Sequence, residues 1–209
     1  QTEEEFADSR FQVLSELTRL RQLCCDPALV YENYEGGSAK LDLCIELIQS
    51  AVESGHKILL FSQFTSMIEI LTARLQEESI SYFVLQGSTK KEQRAQMVEQ
   101  FNRDDTSVFC ISLKAGGTGL NLTGADIVIH YDPWWNVAVE NQATDRAHRI
   151  GQKNVVTVYK LIAKGTIEEK IIKLQQMKKE LAEEILAGDE IKTASFQREE
   201  LLALLEDRF

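Results

Sequence analysis

Hydrophobic positions fall into three successive spacing regimes along the chain. Over residues 3–25 they recur at helical intervals, at Phe6, Val13, Leu14, Leu17, Leu20 and Leu23–Cys24, which predicts an amphipathic helix. Asp26-Pro27 ends it, because the residue before a proline is pushed out of the α region. Residues 32–37 are polar and glycine-containing and read as a linker. Ser38 suits the N-cap of a second helix with Leu41, Cys44, Ile45, Leu47, Ile48 and Val52 inward, and Gly55 closes it.

The period then breaks. KILLFSQF (57–64) holds a continuous apolar run, Ile58 to Phe61, of the kind that strands buried on both faces show. Helical spacing returns over 67–75, and SYFVLQG (81–87) reads as a second strand. An amphipathic helix follows over 90–101, then strands at SVFCISL (107–113) and ADIVIHYD (125–132). Residues 137–149 fit a helix and VVTVYKLIA (155–163) a fifth strand. Strand and helix alternate with short polar connections, which predicts an α/β fold with a parallel sheet. Right-handed crossovers place helices on both of its faces. After Gly165 the third spacing begins: Thr166 with Glu169 fits a capping box, and Ile167, Ile171, Leu174, Met177, Leu181 and Ile185 form a helical stripe. Gly188 stops that helix, and a short one follows over 196–205.

Composition narrows the function classes. At 209 residues and 44% apolar content, the chain has enough material for a full core. No apolar run reaches the ~20 residues of a membrane span, so no membrane partner is expected. The N-terminal QTEEEF has neither the basic nor the apolar part of a signal peptide and lacks an initiator Met; the expectation is a piece of a longer, intracellular protein. Four cysteines, at 24, 25, 44 and 110, show no C-x-x-C spacing, so buried thiols are expected rather than disulfides or a metal site. The net charge of −10 argues against a phosphate-rich partner. Its distribution weakens the objection, since residues 80–170 carry 11 Lys/Arg against 10 Asp/Glu and the acidity sits on the flanks.

Ligands of open parallel sheets sit beyond the carboxyl ends of the strands. Four loops fall there, at 62–66, 87–91, 114–122 and 133–136. In KAGGTGLNL, Gly116, Gly117 and Gly119 admit unusual backbone angles and close approach of a phosphate, although a tight ligand-free turn has the same composition. The spacing fits neither the dinucleotide fingerprint nor G-x-x-x-x-G-K-[ST]. Arg146 and Arg149, three apart, would share a helix face with Gln142 one turn earlier and Asp145 alongside. Paired guanidiniums suit a polyphosphate, and equally a solvated surface. Trp134 and Trp135 fit either core packing or stacking on nucleic acid. His56, His130 and His148 are scattered and read as structural.

Taken in order, FSQF (61–64), LQGSTKKEQR (85–94), SLKAGGTGLNLTGAD (112–126), YDPWWN (131–136) and QATDRAHRIGQ (142–152) resemble the second RecA-like lobe of Swi/Snf-type ATPases. These are superfamily-two helicase relatives that translocate on double-stranded DNA, and the final LLALL helix resembles bacterial members. The resemblance implies a helicase C-terminal lobe over 38–166, preceded by the end of a helical protrusion and a linker (1–37) and followed by a brace helix and terminal helix (167–209). It implies that Arg146 and Arg149 are arginine fingers toward ATP, with Gln142, Gly117 and Asp145 beside the nucleotide. DNA contacts are implied for Gln63, Gly87, Ser88, Thr89, Lys90, Lys114, Ala115, Gly116, Thr118, Gly119 and Trp135. ATP and Mg2+ would be held mainly by a first lobe, which this chain lacks, so the chain alone should not hydrolyse ATP. The implied partners are double-stranded DNA, that N-terminal RecA-like lobe, and a protein or nucleoprotein substrate. The implied location is the cytoplasm or nucleoid of a bacterium, or a eukaryotic nucleus. Two alternatives stay open: a non-catalytic DNA- or protein-binding module, and an RNA helicase lobe.

Overall fold

The computed structural model describes residues 3–113, 115, 120–148, 152 and 154–186, with side chains described between 12 and 179. Five strands, β1 (Ile58–Ser62), β2 (Tyr82–Leu85), β3 (Val108–Ser112), β4 (Ile127–His130) and β5 (Thr157–Lys160), form one parallel sheet in the order β2-β3-β1-β4-β5. The helices among the described residues are α1 (Glu3–Cys25), α2 (Ala39–Glu53), α3 (Thr65–Glu77), α4 (Lys91–Arg103), α5 (Val137–Thr144) and α6 (Ile167–Leu186). Helices α3, α4 and α5 carry the crossovers β1–β2, β2–β3 and β4–β5.

The two-residue period of the strands assigns the core to two layers. Ile58 and Leu60, Val108 and Cys110, and Ile127 and Ile129 pack on Ile45 and Ile48 of α2 and Met67, Ile68 and Leu71 of α3. Leu59, Phe61, Phe109, Ile111 and Val128 face the other way, against Phe101 of α4 and Ala143 of α5. Every residue of β1, β3 and β4 is buried, which is why their sequences run apolar without alternation. The edge strand β5 is exposed along its whole length.

A third, smaller cluster joins the two ends of the described chain. Leu17 of α1 packs with Ile167 and Ile171 of α6, and Trp135 borders them. A buried ion pair, Lys40 Nζ to Glu168 Oε1 at 2.6 Å, ties α2 to the start of α6. The inward faces differ from those read off apolar spacing. On α1 the buried positions are Leu17, Arg21 and Cys25, at i, i+4 and i+8, while Leu14 and Leu20 are exposed. On α6 they are Ile167, Glu168, Ile171 and Gln175, whereas Met177 is 63% exposed. In both helices a buried polar residue takes a place that the apolar count gave to its neighbours. Helix α6 starts with Glu168 N–H donating to Thr166 Oγ1 at 3.2 Å, but Glu169 accepts from Gly165 N–H, one residue earlier than a capping box requires. The side chains of Leu181 and Ile185, Gly188 and the helix expected over 196–205 lie outside the described residues.

Candidate functional site

Strands β3, β1 and β4 end side by side, with Ser62 level with Ser112 and Phe61 with His130, so their following loops converge. Buried Asp132 fixes the first junction: its carboxylate accepts from Ser62 Oγ at 2.5 Å and from the Gln63 N–H at 3.3 Å. Burial pushes the Asp132 carboxyl up from its ordinary range, and the hydrogen bonds from Ser62 and Gln63 work against that rise. The Gln63 side chain donates to the Pro133 carbonyl at 3.4 Å, so it leans on the tryptophan loop.

That loop is clasped from both sides. Arg21 of α1 donates to the Pro133 carbonyl at 3.1 Å, and its guanidinium lies 5.0 Å from the Trp135 ring centroid and 5.7 Å from that of Phe64. Burial lowers the Arg21 pKa, with Asp132 opposing. Trp135 is half-buried and packs with the α1–α6 cluster, and Trp134, also half-buried, packs on the sheet layer that contains Phe61. From below, buried Glu140 accepts from the Trp134 N–H at 3.2 Å and pairs with Lys160 of β5. Gln175 of α6 donates to the Trp134 carbonyl and to Glu140.

The Gly-Ser-Thr loop after β2 is organised by one arginine of α4. Arg94 Nε donates to the Thr89 carbonyl at 2.7 Å, and Nη2 donates to those of Gly87 at 3.1 Å and Gln86 at 3.3 Å. Its Nη1 donates to the Ala115 carbonyl at 3.1 Å, in the glycine segment after β3. Thr89 Oγ1 accepts from the Gln86 N–H, closing the turn. Gly87, Ser88 and Lys90 are exposed, Thr89 is half-buried, and Ala115 is buried.

The arginine segment departs from its expected form. Helix α5 is capped by Asn136, which accepts from the Ala138 N–H at 3.0 Å, and it ends at Thr144, not at 149. Arg146 and Ala147 continue in a tighter turn with i to i−3 bonds, Arg146 N–H to Ala143 O and Ala147 N–H to Thr144 O. Arg146 therefore lies past the helix rather than on its face, and it is 4% exposed. The turn is held from outside: the Leu122 N–H takes the Arg146 carbonyl at 3.1 Å. Gln152 Nε2 donates to the carbonyls of Ala147, Thr123 and Ala125 at 3.2, 3.3 and 2.7 Å. Gln142 and Asp145 are exposed. His130 of β4 stacks on Phe61 with centroids 5.4 Å apart, and its Nε2 is hydrogen-bonded to Thr144 Oγ1 at 2.9 Å. Burial holds its pKa down at about 4.

The structure thus brings Gln63, Gly87–Lys90 and Ala115 to the carboxyl end of the sheet, and joins the segment around Arg146 to the Leu122–Ala125 loop. Lys114, Gly116, Gly117, Thr118, Gly119 and Arg149 lie outside the described residues. Sequence reasoning missed the roles of Arg21, Arg94, Glu140, Lys40 with Glu168, and Gln152; each has at least one partner twenty or more residues away. An open groove of ≈ 540 Å³ lies on a different element, along α1 between Leu14, Thr18 and Leu29. No helix among the described residues is long and apolar enough to cross a membrane.

Comparison with known proteins agrees with this geometry. Residues 39–151 match the helicase conserved C-terminal domain. The chain is 45% identical over 202 residues to a protein of Mycoplasma pneumoniae described as an uncharacterized ATP-dependent helicase, covering 95% of this chain and 19% of that protein. It is 43% identical over 171 residues to the human chromatin-remodeling ATPase INO80, covering 81% of this chain and 11% of that protein. The chain spans about a fifth or less of the length of the curated relatives it matches. Among solved structures, the Sulfolobus solfataricus SWI2/SNF2 ATPase C-terminal domain aligns with TM-score 0.71 and 33% identity, over 93% of this chain and 81% of that one. The core of a Sulfolobus solfataricus SWI2/SNF2 ATPase in complex with double-stranded DNA aligns with TM-score 0.69 and 37% identity, over 83% and 37% respectively. The parallel sheet with its two helical layers is RecA-like, and the chain belongs to the SWI2/SNF2 ATPases as their helicase C-terminal domain.

Proposed function

We propose that this chain is the second motor lobe of an ATP-dependent double-stranded DNA translocase. The observation that carries the proposal is the cross-linking of the arginine segment to the segment that follows the glycine loop. Leu122 binds the Arg146 carbonyl, and Gln152 binds Ala147, Thr123 and Ala125 together. A displacement at either segment is passed to the other through one backbone hydrogen bond and the three carbonyl bonds of the Gln152 side chain, which is the coupling that a translocase needs.

In this reading Arg146 and Arg149 meet the γ-phosphate of ATP bound on a first lobe, where guanidinium charge stabilises the transferring phosphoryl group by ~10³–10⁵ in rate. Arg146 is buried in this lobe, while Gln142 and Asp145 stand exposed beside it; Gly117 is assigned to the nucleotide with them. Among the described residues no three His, Cys, Asp or Glu side chains group as a metal site. In this reading the Mg2+ ion is held mainly by the first lobe. In the same reading the chain alone binds no nucleotide tightly and does not turn ATP over. Duplex DNA lies over Gln63, Gly87–Lys90 and Lys114–Gly119, with main-chain N–H groups and Lys90 and Lys114 on its phosphates. Trp135, seated against Arg21 and the α1–α6 cluster, is assigned to the same DNA-facing surface.

The test compares nucleic acids as stimulators of ATP hydrolysis by the polypeptide carrying both lobes. Duplex DNA is expected to stimulate at least tenfold more than single strands or RNA of equal length. Equal stimulation by RNA would move the assignment to an RNA helicase lobe, and no stimulation at all would favour a non-catalytic binding module.

A further inference from the structure

The geometry points to Arg94 as a positioning residue for DNA, a carbonyl clamp that turns two loops into one surface for the phosphodiester backbone. The inference rests on the proposed DNA-translocase reading and adds to it the residue that builds the grip. It begins with four main-chain carbonyls, those of Gln86, Gly87, Thr89 and Ala115, all bound by one guanidinium at 2.7–3.3 Å. A guanidinium offers five donors in a rigid fork, and here that fork faces carbonyl oxygens rather than a carboxylate or solvent.

Peptide planarity converts this inward arrangement into an outward one. In a trans peptide the C=O and the N–H of the next residue point in opposite directions. With the carbonyls of Gln86, Gly87 and Thr89 aimed at Arg94, the N–H groups of Gly87, Ser88 and Lys90 are aimed away from it. Those three residues are exposed. Successive outward N–H groups form a concavity that suits a phosphate oxygen. A Cβ built on Gly87 meets no atom of the chain within 4 Å, so the fold itself does not require glycine there. Close approach of an external backbone does require it. The bond to Ala115 then holds that residue beside the Gly-Ser-Thr loop, although the two are joined to different strands.

A clamp and a direct phosphate contact differ in what lysine can replace. Lysine keeps the charge but is a single point donor that cannot span four carbonyls. The loop N–H groups are neutral, so losing them weakens binding without changing the number of counterions released. The experiment measures duplex affinity and duplex-stimulated ATP hydrolysis against salt, in the polypeptide carrying both lobes. Arg94→Lys is expected to raise the DNA concentration for half-maximal stimulation about tenfold, the equivalent of one or two lost hydrogen bonds. Turnover at saturating DNA should fall less than twofold, and the slope of log affinity against log salt should stay that of the unmodified protein. Lys90→Ala serves as the reference for a direct contact, with a slope reduced by about one. Near-normal affinity in Arg94→Lys together with a reduced slope in Arg94→Ala would make Arg94 a direct phosphate ligand and overturn the clamp. Should Arg94→Lys not fold, hydrogen exchange on the unmodified protein decides. DNA should then protect the amides of Gly87, Ser88, Lys90 and Gly116 at one common concentration, and protection confined to one loop overturns the clamp. Absence of any duplex stimulation in the unmodified protein removes the functional reading and the clamp with it, whereas normal stimulation with an unaffected Arg94→Lys removes the clamp alone.

Discussion

Arg21 reaches the tryptophan loop from the N-terminal helix, and Arg94 reaches the loops after β2 and β3 from a crossover helix of the sheet. Both guanidiniums bind main-chain carbonyls at the carboxyl end of the sheet. Their surroundings differ. Arg21 is buried, makes one carbonyl hydrogen bond, has no hydrogen-bond partner for Nε, and spends the rest of its surface on the rings of Trp135 and Phe64. Arg94 is half-buried and shares its N–H groups among four carbonyls. The first is mainly a packing element that carries a desolvated charge, and the second is mainly a hydrogen-bonding hub. Substitutions at Arg21 should therefore read out in stability, and substitutions at Arg94 in DNA affinity.

Breaking the packing side of this comparison most severely means removing its buried ion pair. Burial raises the Glu168 carboxyl pKa, and Lys40 opposes that rise. Glu168→Ala strands the Lys40 ammonium in the same desolvated cluster, at an expected cost of about 3–5 kcal/mol in urea unfolding. A loss under ~1 kcal/mol would mean that the buried tie between α2 and α6 contributes little to stability.

His130 gives the next largest effect and probes the junction between β4 and α5. Its pKa is held at about 4 in the folded chain against 6.5 as the ordinary value, so the folded state binds the proton less readily than the unfolded one. The resulting stability is fully present above pH 6.5 and declines as the pH falls toward 4, by about 3 kcal/mol in total. Asp132 and Glu168, both raised by burial, act in the opposite sense on acidification, so the measurement is the difference between the unmodified chain and His130→Gln. That difference should shrink across pH 6.5–4, and a pH-independent difference would contradict the burial argument. The smallest effect sharpens the comparison itself. Arg21→Met keeps contact with both rings and loses one charged hydrogen bond, so it should cost about 1.5–3 kcal/mol at most and leave duplex affinity within twofold.

The sheet was legible because its central strands are buried on both faces, and Ile58–Phe61 or Val108–Ile111 can be apolar without interruption only there. The loops that end those strands were legible from glycine and small polar residues. What escaped were residues whose partners are set by topology. Arg94 closes the LQGSTKKEQR segment, but nothing in the local sequence shows that Ala115 folds against it. Helical spacing continued α5 to 149, but the carbonyls of Arg146 and Ala147 are taken by Leu122 and Gln152, and the helix ends at Thr144. Arg21 and Gln175 were passed over because apolar counts assume that buried faces are apolar.

The central claim is that this lobe supplies the guanidinium charge for hydrolysis of ATP held elsewhere. Its most direct test is duplex-stimulated turnover of the polypeptide carrying both lobes with Arg149→Ala. Turnover should fall by about 10³ or more while ATP affinity stays within a few-fold, the pattern of an interaction made in the transition state. Turnover within a few-fold of the unmodified protein would contradict the account.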